Sequence, residues 1–538
     1  MNRVNKSSKP RRPLATLIVA LTILSAGFLA LPKMAIAGGQ ATGRNPAITC
    51  EQLGSLKLKD VASITSQSVP AGSFTPPANA PLTNLPAFCR VSLVIKPQIN
   101  IEVWLPMAWN ERFQAIGGGG YAGAVSWPGL AGAIRNGYAT ASTDTGHNAA
   151  NHPSGSFALS PDGTLNTQLI EDFAFRSLQE LTLKAKELIR AFYAERPKYS
   201  YWNGCSTGGR QGLIQAQRLP DGYDGILAGA PAINWDRFIP SELWPQIAMK
   251  QEAGGPIAAC KLNTVTNAAI AACDSFDGVV DGVLEDPRSC RFDPIALQCA
   301  AGATPDCSCL TSKEAAAVRK IWEGPQSTEG KRLWYGLTRG TPLAALSGAN
   351  PFVISADHFR YWMERDSKFD WNTLDYAAFE AEFQKSRTMF NRVIGSDDPD
   401  LHQFSRDGGK LLIWHGLSDQ LIFPEGTIDY YERVLDKVGG LKETQKFARL
   451  FLAPGVGHCG GGSGPSSFDM FGELVKWVES GQAPDRIIAS RMQNNQVVRT
   501  RPLCSYPNVA TYAGTGSPDD AKSFVCKVPF DYENRWIK

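Results

Sequence analysis

The sequence predicts an α/β fold: a mostly parallel sheet with helices on both faces, interrupted by one long insertion. Three observations carry that expectation. Short apolar runs alternate with segments of helical periodicity up to residue 229. The alternation stops between about 233 and 400 and resumes at 411. The 538-residue chain is also too long for one ordinary core, which calls for a large domain carrying an insertion, or two domains.

Lys6, Lys9, Arg11 and Arg12 precede the apolar run LATLIVALTILSAGFLAL, and Ala35-Ile36-Ala37 follows it. A basic head, an apolar middle and a small-x-small exit predict a signal peptide over 1–37, cut after Ala37, and a secreted or periplasmic protein. Residues 38 to about 88 are polar and rich in Pro, Ser and Gly, the composition of a lead-in. CRVSLVIKPQINIEVWLP (89–106) alternates apolar and polar on both sides of a Pro-containing turn, which predicts a β-hairpin. Strands are then expected at RFQAI (112–116), YATAS (138–142), YSYWN (199–203), GILAG (225–229), LLIWH (411–415) and ARLFL (448–452). Helical spacing of apolar residues runs through DFAFRSLQELTLKAKELIRAFYAE, and GRQGLIQAQRL (209–219) is a second helix. The intervening stretch groups Trp235, Phe238 and Trp244, then Phe359, Tyr361, Trp362 and Trp371, and is expected to form an inserted lid domain over 233–400. Residues 38–232 and 401–538 then supply the two parts of the core.

With 54 Lys and Arg against 51 Asp and Glu, the net charge of +3 leaves no broad basic surface, which argues against nucleic acid as a partner. Twelve cysteines, an even count in an exported chain, favour disulfides. Zinc is disfavoured: Cys307-Ser308-Cys309 has the wrong spacing, and no Cys-x-x-Cys occurs.

Gly204-Cys205-Ser206-Thr207-Gly208 is a G-x-S-x-G run with a predicted strand before it and a predicted helix after it. Glycines at both ends permit the tight turn that exposes a nucleophilic serine, Ser206. A serine needs a base, and the chain has six histidines. In the α/β-hydrolase order the acid follows the serine and the histidine comes last, on a loop after the final strand. His147 and His152 precede the serine, His358 and His402 fall in or beside the insertion, and His415 ends a strand. Only His458, in PGVGHCGGG, fits. Asp419, shortly after strand 411–415, is the expected acid, holding the tautomer of His458 and stabilising its imidazolium. Both the serine and the histidine have a cysteine neighbour. In an oxidising compartment the economical reading is a Cys205–Cys459 disulfide that ties the two loops together and leaves Cys205 no thiolate to react. The oxyanion hole is expected from the backbone N–H of Thr207 and of Gly117 or Gly118, in the glycine cluster after strand 112–116.

GCSTGGRQG, FAFRSLQELT, CDSFDGVVDGVLEDP, WHGLSD and PGVGHCGGG together resemble the tannase and feruloyl esterase family, from about Cys50 to Cys526. Hydrolases of the mono-ester of terephthalate with ethylene glycol are similar. The resemblance implies an α/β-hydrolase core with an inserted lid, a small aromatic ester as substrate, and no organic cofactor. It also implies a structural Ca²⁺ in the lid, held by Asp274, Asp277 and Asp281 with the carbonyls of Val279 and Val283, hard oxygen donors of the kind calcium takes. Implied with it are disulfides Cys273–Cys290, Cys50–Cys89 and Cys504–Cys526. Cys299 has either Cys307 or Cys309 as partner, and Cys260 pairs with the remaining one or stays free.

Overall fold

The computed structural model describes residues 46–529 apart from 78, 303 and 305, so the expected leader over 1–37 lies outside the described residues. One sheet organises the molecule. Its strands are Val61–Val69 (β1), Phe88–Ile95 (β2), Ile99–Pro106 (β3), Arg112–Ile116 (β4), Ala139–Thr143 (β5), Tyr199–Cys205 (β6), Gly225–Gly229 (β7), Lys410–Gly416 (β8) and Ala448–Ala453 (β9), in the spatial order β1-β2-β3-β5-β4-β6-β7-β8-β9. Pairings β1–β2, β2–β3 and β3–β5 are antiparallel, and every pairing from β5 to β9 is parallel. Each strand foreseen from the alternation is present within a residue or two of its expected bounds. β1 is the addition: VASITSQSV buries only Val69, because it is an edge strand whose polar side chains face water, and so it carries no apolar signal.

The helices used below are Trp127–Arg135 (α1), Ser177–Tyr193 (α2), Thr207–Arg218 (α3), Trp235–Ser241 (α4), Ala259–Cys273 (α5), Ser312–Glu323 (α6), Tyr376–Ile394 (α7), Pro424–Val438 (α8) and Met470–Ser480 (α9). The period-2 geometry of the strands sorts side chains between two helical layers. Leu411 and Ile413 of β8 pack with Leu178 and Leu181 of α2, Leu213 of α3 and Val434 of α8. Leu412 and Trp414 pack with Leu130 and Ile134 of α1 and Leu474 of α9. Trp202 of β6 is fully buried, and truncating such a residue to alanine costs roughly 3–5 kcal/mol. The helix expected from residue 172 opens as a π-helical turn, Asp172–Arg176, before α2. Two carbonyls of that turn, Phe173 and Ala174, accept hydrogen bonds from the guanidinium of Arg210 at 3.1 and 2.9 Å.

Among the described residues, no strand between Gly229 and Lys410 joins the sheet. α4 to α7 lie in that interval, and its aromatic residues form a third core in which Trp235, Phe238, Trp244, Phe359 and Trp362 meet Tyr121, Phe157 and Phe173. Tyr121 and Phe157 come from the segments that leave β4 and β5, so the insertion packs over the carboxyl ends of the parallel strands. In open α/β sheets that edge is where ligands bind. No helix of the described residues is long and apolar enough to cross a membrane.

All twelve cysteines are paired, as Cys50–Cys89, Cys205–Cys459, Cys260–Cys307, Cys273–Cys290, Cys299–Cys309 and Cys504–Cys526. The choice left open by the sequence resolves to Cys299–Cys309, with Cys307 taken by Cys260.

Candidate active site

Ser206 stands between β6 and α3 with φ +63° and ψ −127°, a backbone conformation that L-residues seldom adopt. Close packing fixes the turn. A Cβ on Gly204 would lie 2.4 Å from the carbonyl carbon of Gly208, and one on Gly117 would lie 2.5 Å from the Cα of Gly208. The amide of Ser206 donates to Gly229 O at 2.9 Å, and its carbonyl accepts from the amides of Arg210 and Ala232. The side chain projects into a cavity of about 350 Å³ that His458 and Cys459 also line.

The Cys205–Cys459 bridge spans 254 positions of sequence with a Cα separation of 6.0 Å. It joins the residue before Ser206 to the residue after His458. Nδ1 of His458 lies 2.8 Å from Oδ2 of Asp419. Asp419 is fully buried, and its Oδ1 accepts from the amides of Leu421 and Ile422, each at 2.9 Å. Burial alone would raise this carboxyl; hydrogen bonds from His415 and His458 outweigh it and hold the group below the usual carboxylate range. Asp419 is therefore an anion aimed at His458. Ser206 and His458 share the cavity without a hydrogen bond between them among the described residues; such contacts often tighten only when substrate binds.

The glycine cluster departs from expectation. The amide of Gly117 donates to Asn203 O at 3.0 Å, and that of Gly118 donates to Oε1 of Gln211 at 2.9 Å. Neither N–H is free for an oxyanion: the first continues the β4–β6 ladder, and the second is captured by α3. Gly119 and Gly120 line the cavity instead, and the amide of Gly119 has no partner among the described residues. Thr207 is the first residue of α3, so its N–H has no intrahelical acceptor, and its hydroxyl donates to Gly120 O at 2.5 Å.

Two residues had no role in the sequence reading. His415, set aside as a strand end, reaches Asp419 four residues on. Glu242 lines the cavity and is only 2 % exposed. A signal existed for each: the spacing in WHGLSD for the first, and for the second a glutamate at an apolar position of a helical stripe. None of the other four histidines lines the cavity: His147 stacks on Phe157, His358 is buried against Ser386, His402 contacts Asp400, and His152 lies in the loop after β5.

The acidic turn after α5 places Asp274, Asp277 and Asp281 near two C-terminal hairpins, over 486–504 and 509–527. Asp274 accepts from the amides of Asp281 and Gly282, Asp277 from Val279, and Asp281 from Val283. Arg499 and Arg501 both reach Oδ2 of Asp281. Burial pushes Asp277 up to about 6, with repulsion from Asp281 and Asp274 adding to it. Among the described residues no three His, Cys, Asp or Glu side chains converge on one point as a metal site would. The donor set is nonetheless that of a hard cation: three carboxylates within eight residues, with Val279 and Val283 at alternate positions and their side chains buried beneath.

A family model described as tannase and feruloyl esterase matches residues 86–527. A probable feruloyl esterase of Arthroderma benhamiae is 38 % identical over 487 residues, covering 86 % of this chain and 89 % of that protein. The mono(2-hydroxyethyl) terephthalate hydrolase of Piscinibacter sakaiensis is 31 % identical, over 84 % of this chain and 87 % of its own. The crystal structure of feruloyl esterase B from Aspergillus oryzae superposes with a TM-score of 0.79 at 31 % identity, covering 89 % of this chain and 99 % of that one.

Proposed function

The chain belongs to the tannase and feruloyl esterase family and is a carboxylic ester hydrolase; from that premise we propose that it cleaves esters of phenolic acids through an acyl-enzyme on Ser206. The observation that carries this reading is the opening of Ser206 and His458, the latter backed by Asp419, onto one cavity whose other side chains are mainly apolar.

His458 Nε2 takes the proton of the Ser206 hydroxyl as Oγ forms a bond to the ester carbonyl carbon. Asp419, kept anionic, stabilises the imidazolium through Nδ1–H. The oxyanion accepts from the amide of Thr207 and, in place of Gly117 or Gly118, from that of Gly119. Collapse breaks the bond to the alkoxide oxygen, which takes the proton from His458. Water, deprotonated by His458, then attacks the acyl carbon, and Ser206 regains its proton as the acid leaves. Cys205 is bridged and has no part in bond making; it holds the two loops in register.

The experiment is Ser206→Ala assayed on methyl ferulate, methyl gallate and an activated aryl ester. We expect turnover to fall by several orders of magnitude with the fold intact, and an organophosphate to label Ser206 in the wild type. Near wild-type turnover by the variant would refute the assignment.

We also infer a structural calcium in the turn from Asp274 to Val283. The donor chemistry supports it, as does the placement of three carboxylates beside a fourth, Glu285, that is buried. Bound there, calcium would neutralise clustered charge and brace the turn against the two C-terminal hairpins that Cys504–Cys526 joins. The six disulfides and the expected leader go with an exported protein.

A further inference from the structure

The inner wall of the cavity is one face of α4 and its C-cap. Trp235, Phe238, Ile239 and Glu242 stand at i, i+3, i+4 and i+7, and all four line it. Three of the positions carry the apolar residues that such a stripe requires, and the fourth carries a carboxyl. Glu242 is 2 % exposed, and among the described residues its Oε2 has no hydrogen-bond partner and no lysine or arginine lines the cavity. An unpartnered carboxyl in an apolar wall is costly unless something that enters the cavity satisfies it.

Glu242 does not serve the proton relay. Asp419 already fills both oxygens with two amides and two imidazoles. Burial and the nearby Asp419 anion both favour the protonated form of Glu242, a neutral group that can donate one hydrogen bond and accept another. A neutral hydroxyl is the complement of that group. A carboxylate on the substrate would instead sit beside Asp419 with no lysine or arginine in the lining to receive it.

We infer that Glu242 is the specificity residue of the pocket and binds a hydroxyl on the aromatic ring of the substrate, selecting hydroxylated aromatic acids over unsubstituted or carboxylated ones. Phe238 and Ile239 pack the ring, and the Glu242 carboxyl reads its hydroxyl. This rests on the phenolic-ester reading above and names the residue that reads the ring hydroxyl.

The test compares kcat/KM for methyl 4-hydroxycinnamate, methyl 4-methoxycinnamate, methyl cinnamate and the terephthalate mono-ester in wild type, Glu242→Leu and Glu242→Gln. The wild type should prefer the 4-hydroxy ester over the cinnamate by roughly tenfold or more, expressed in KM. Glu242→Leu should bring that ratio close to one, and Glu242→Gln, a neutral donor and acceptor of the same length, should keep most of it. Equal losses on all the esters in Glu242→Leu would make the residue merely structural and overturn the inference. So would a Gln variant as indiscriminate as Leu, or a wild-type preference for the terephthalate mono-ester. A wild type that cleaved none of the aromatic esters would instead refute the reading on which the inference stands.

Discussion

Nε2 of His415 lies 3.1 Å from Oδ2 of Asp419, the same oxygen that Nδ1 of His458 approaches at 2.8 Å. That nitrogen also faces Ile422 O at 3.1 Å, so two acceptors fix the proton on Nε2, and Nδ1 accepts from the Thr427 hydroxyl at 2.8 Å. His415 is thus a buried side chain that helps to orient the acid at the oxygen the base also uses. His415→Leu should lower kcat about 10- to 100-fold with little change in KM. His415→Gln, whose amide can reach the same oxygen, should recover much of the loss. A parallel fall of both variants, tracking their melting temperatures, would reduce His415 to a packing role.

The Cys205–Cys459 bridge holds the serine and histidine loops together, so reductant should lower activity rather than raise it. In the chain-entropy model a closed loop of this length is worth roughly 5 kcal/mol at most. The Cys205→Ala/Cys459→Ala double variant should therefore lose thermal stability and, more diagnostically, kcat on a substrate too small to use the rest of the pocket. Stimulation by dithiothreitol would contradict the assignment of Ser206 as the nucleophile.

Much of this site was legible in the sequence because its parts obey local rules. The strand-turn-helix around Ser206 announces itself through glycines whose Cβ positions are blocked by neighbouring backbone, and chain order singles out His458 and Asp419. The two cysteines beside the serine and the histidine implied each other. What sequence could not supply was which amide points where. Gly117 and Gly118 are adjacent to Gly119 in an unbroken run, and only the ladder to Asn203 and the side chain of Gln211 decide which N–H is left over. Edge strand β1 was hidden for a related reason: its pairing with β2 rests on backbone groups that every residue carries.

Removal of divalent cations tests the acidic turn after α5. Chelation should lower the melting temperature by several degrees and leave kcat for a small ester nearly unchanged after brief treatment, since the turn lines no part of the cavity. Calcium should restore the melting temperature in wild type and fail to do so in Asp277→Asn. Indifference of the wild-type melting temperature to chelator and to added calcium would remove the metal from the account.

His147 is 2 % exposed, stacks on Phe157 at 3.9 Å between ring centroids, and among the described residues has no hydrogen-bond partner on either ring nitrogen. Burial pushes it down to about 4, so between its unfolded value near ~6.5 and pH 4 the unfolded chain binds a proton that the folded chain does not. Stability therefore falls as the pH drops through that window. Relative to wild type, His147→Phe should gain about 2 kcal/mol on going from pH 7 to pH 4.5 in denaturant titrations. A difference between the two proteins that does not vary with pH would show that His147 does not titrate in this range.

Gly117 and Gly208 touch backbone to backbone, and the contact sets the distance between the glycine loop and the serine turn. A methyl group on Gly117 would sit 2.5 Å from the Cα of Gly208, with no flexible side chain able to yield. Gly117→Ala must therefore push the loop carrying Gly119 away from Ser206, or distort the turn itself. Removing an oxyanion donor typically costs about 10²–10³ in kcat, and the same range is expected here with KM little altered. Gly132, in the middle of α1, meets nothing within 4 Å on substitution and provides the matched control, because an alanine there leaves the site untouched. If Gly117→Ala turned over methyl ferulate as fast as that control, the glycine loop would have no part in holding the oxyanion.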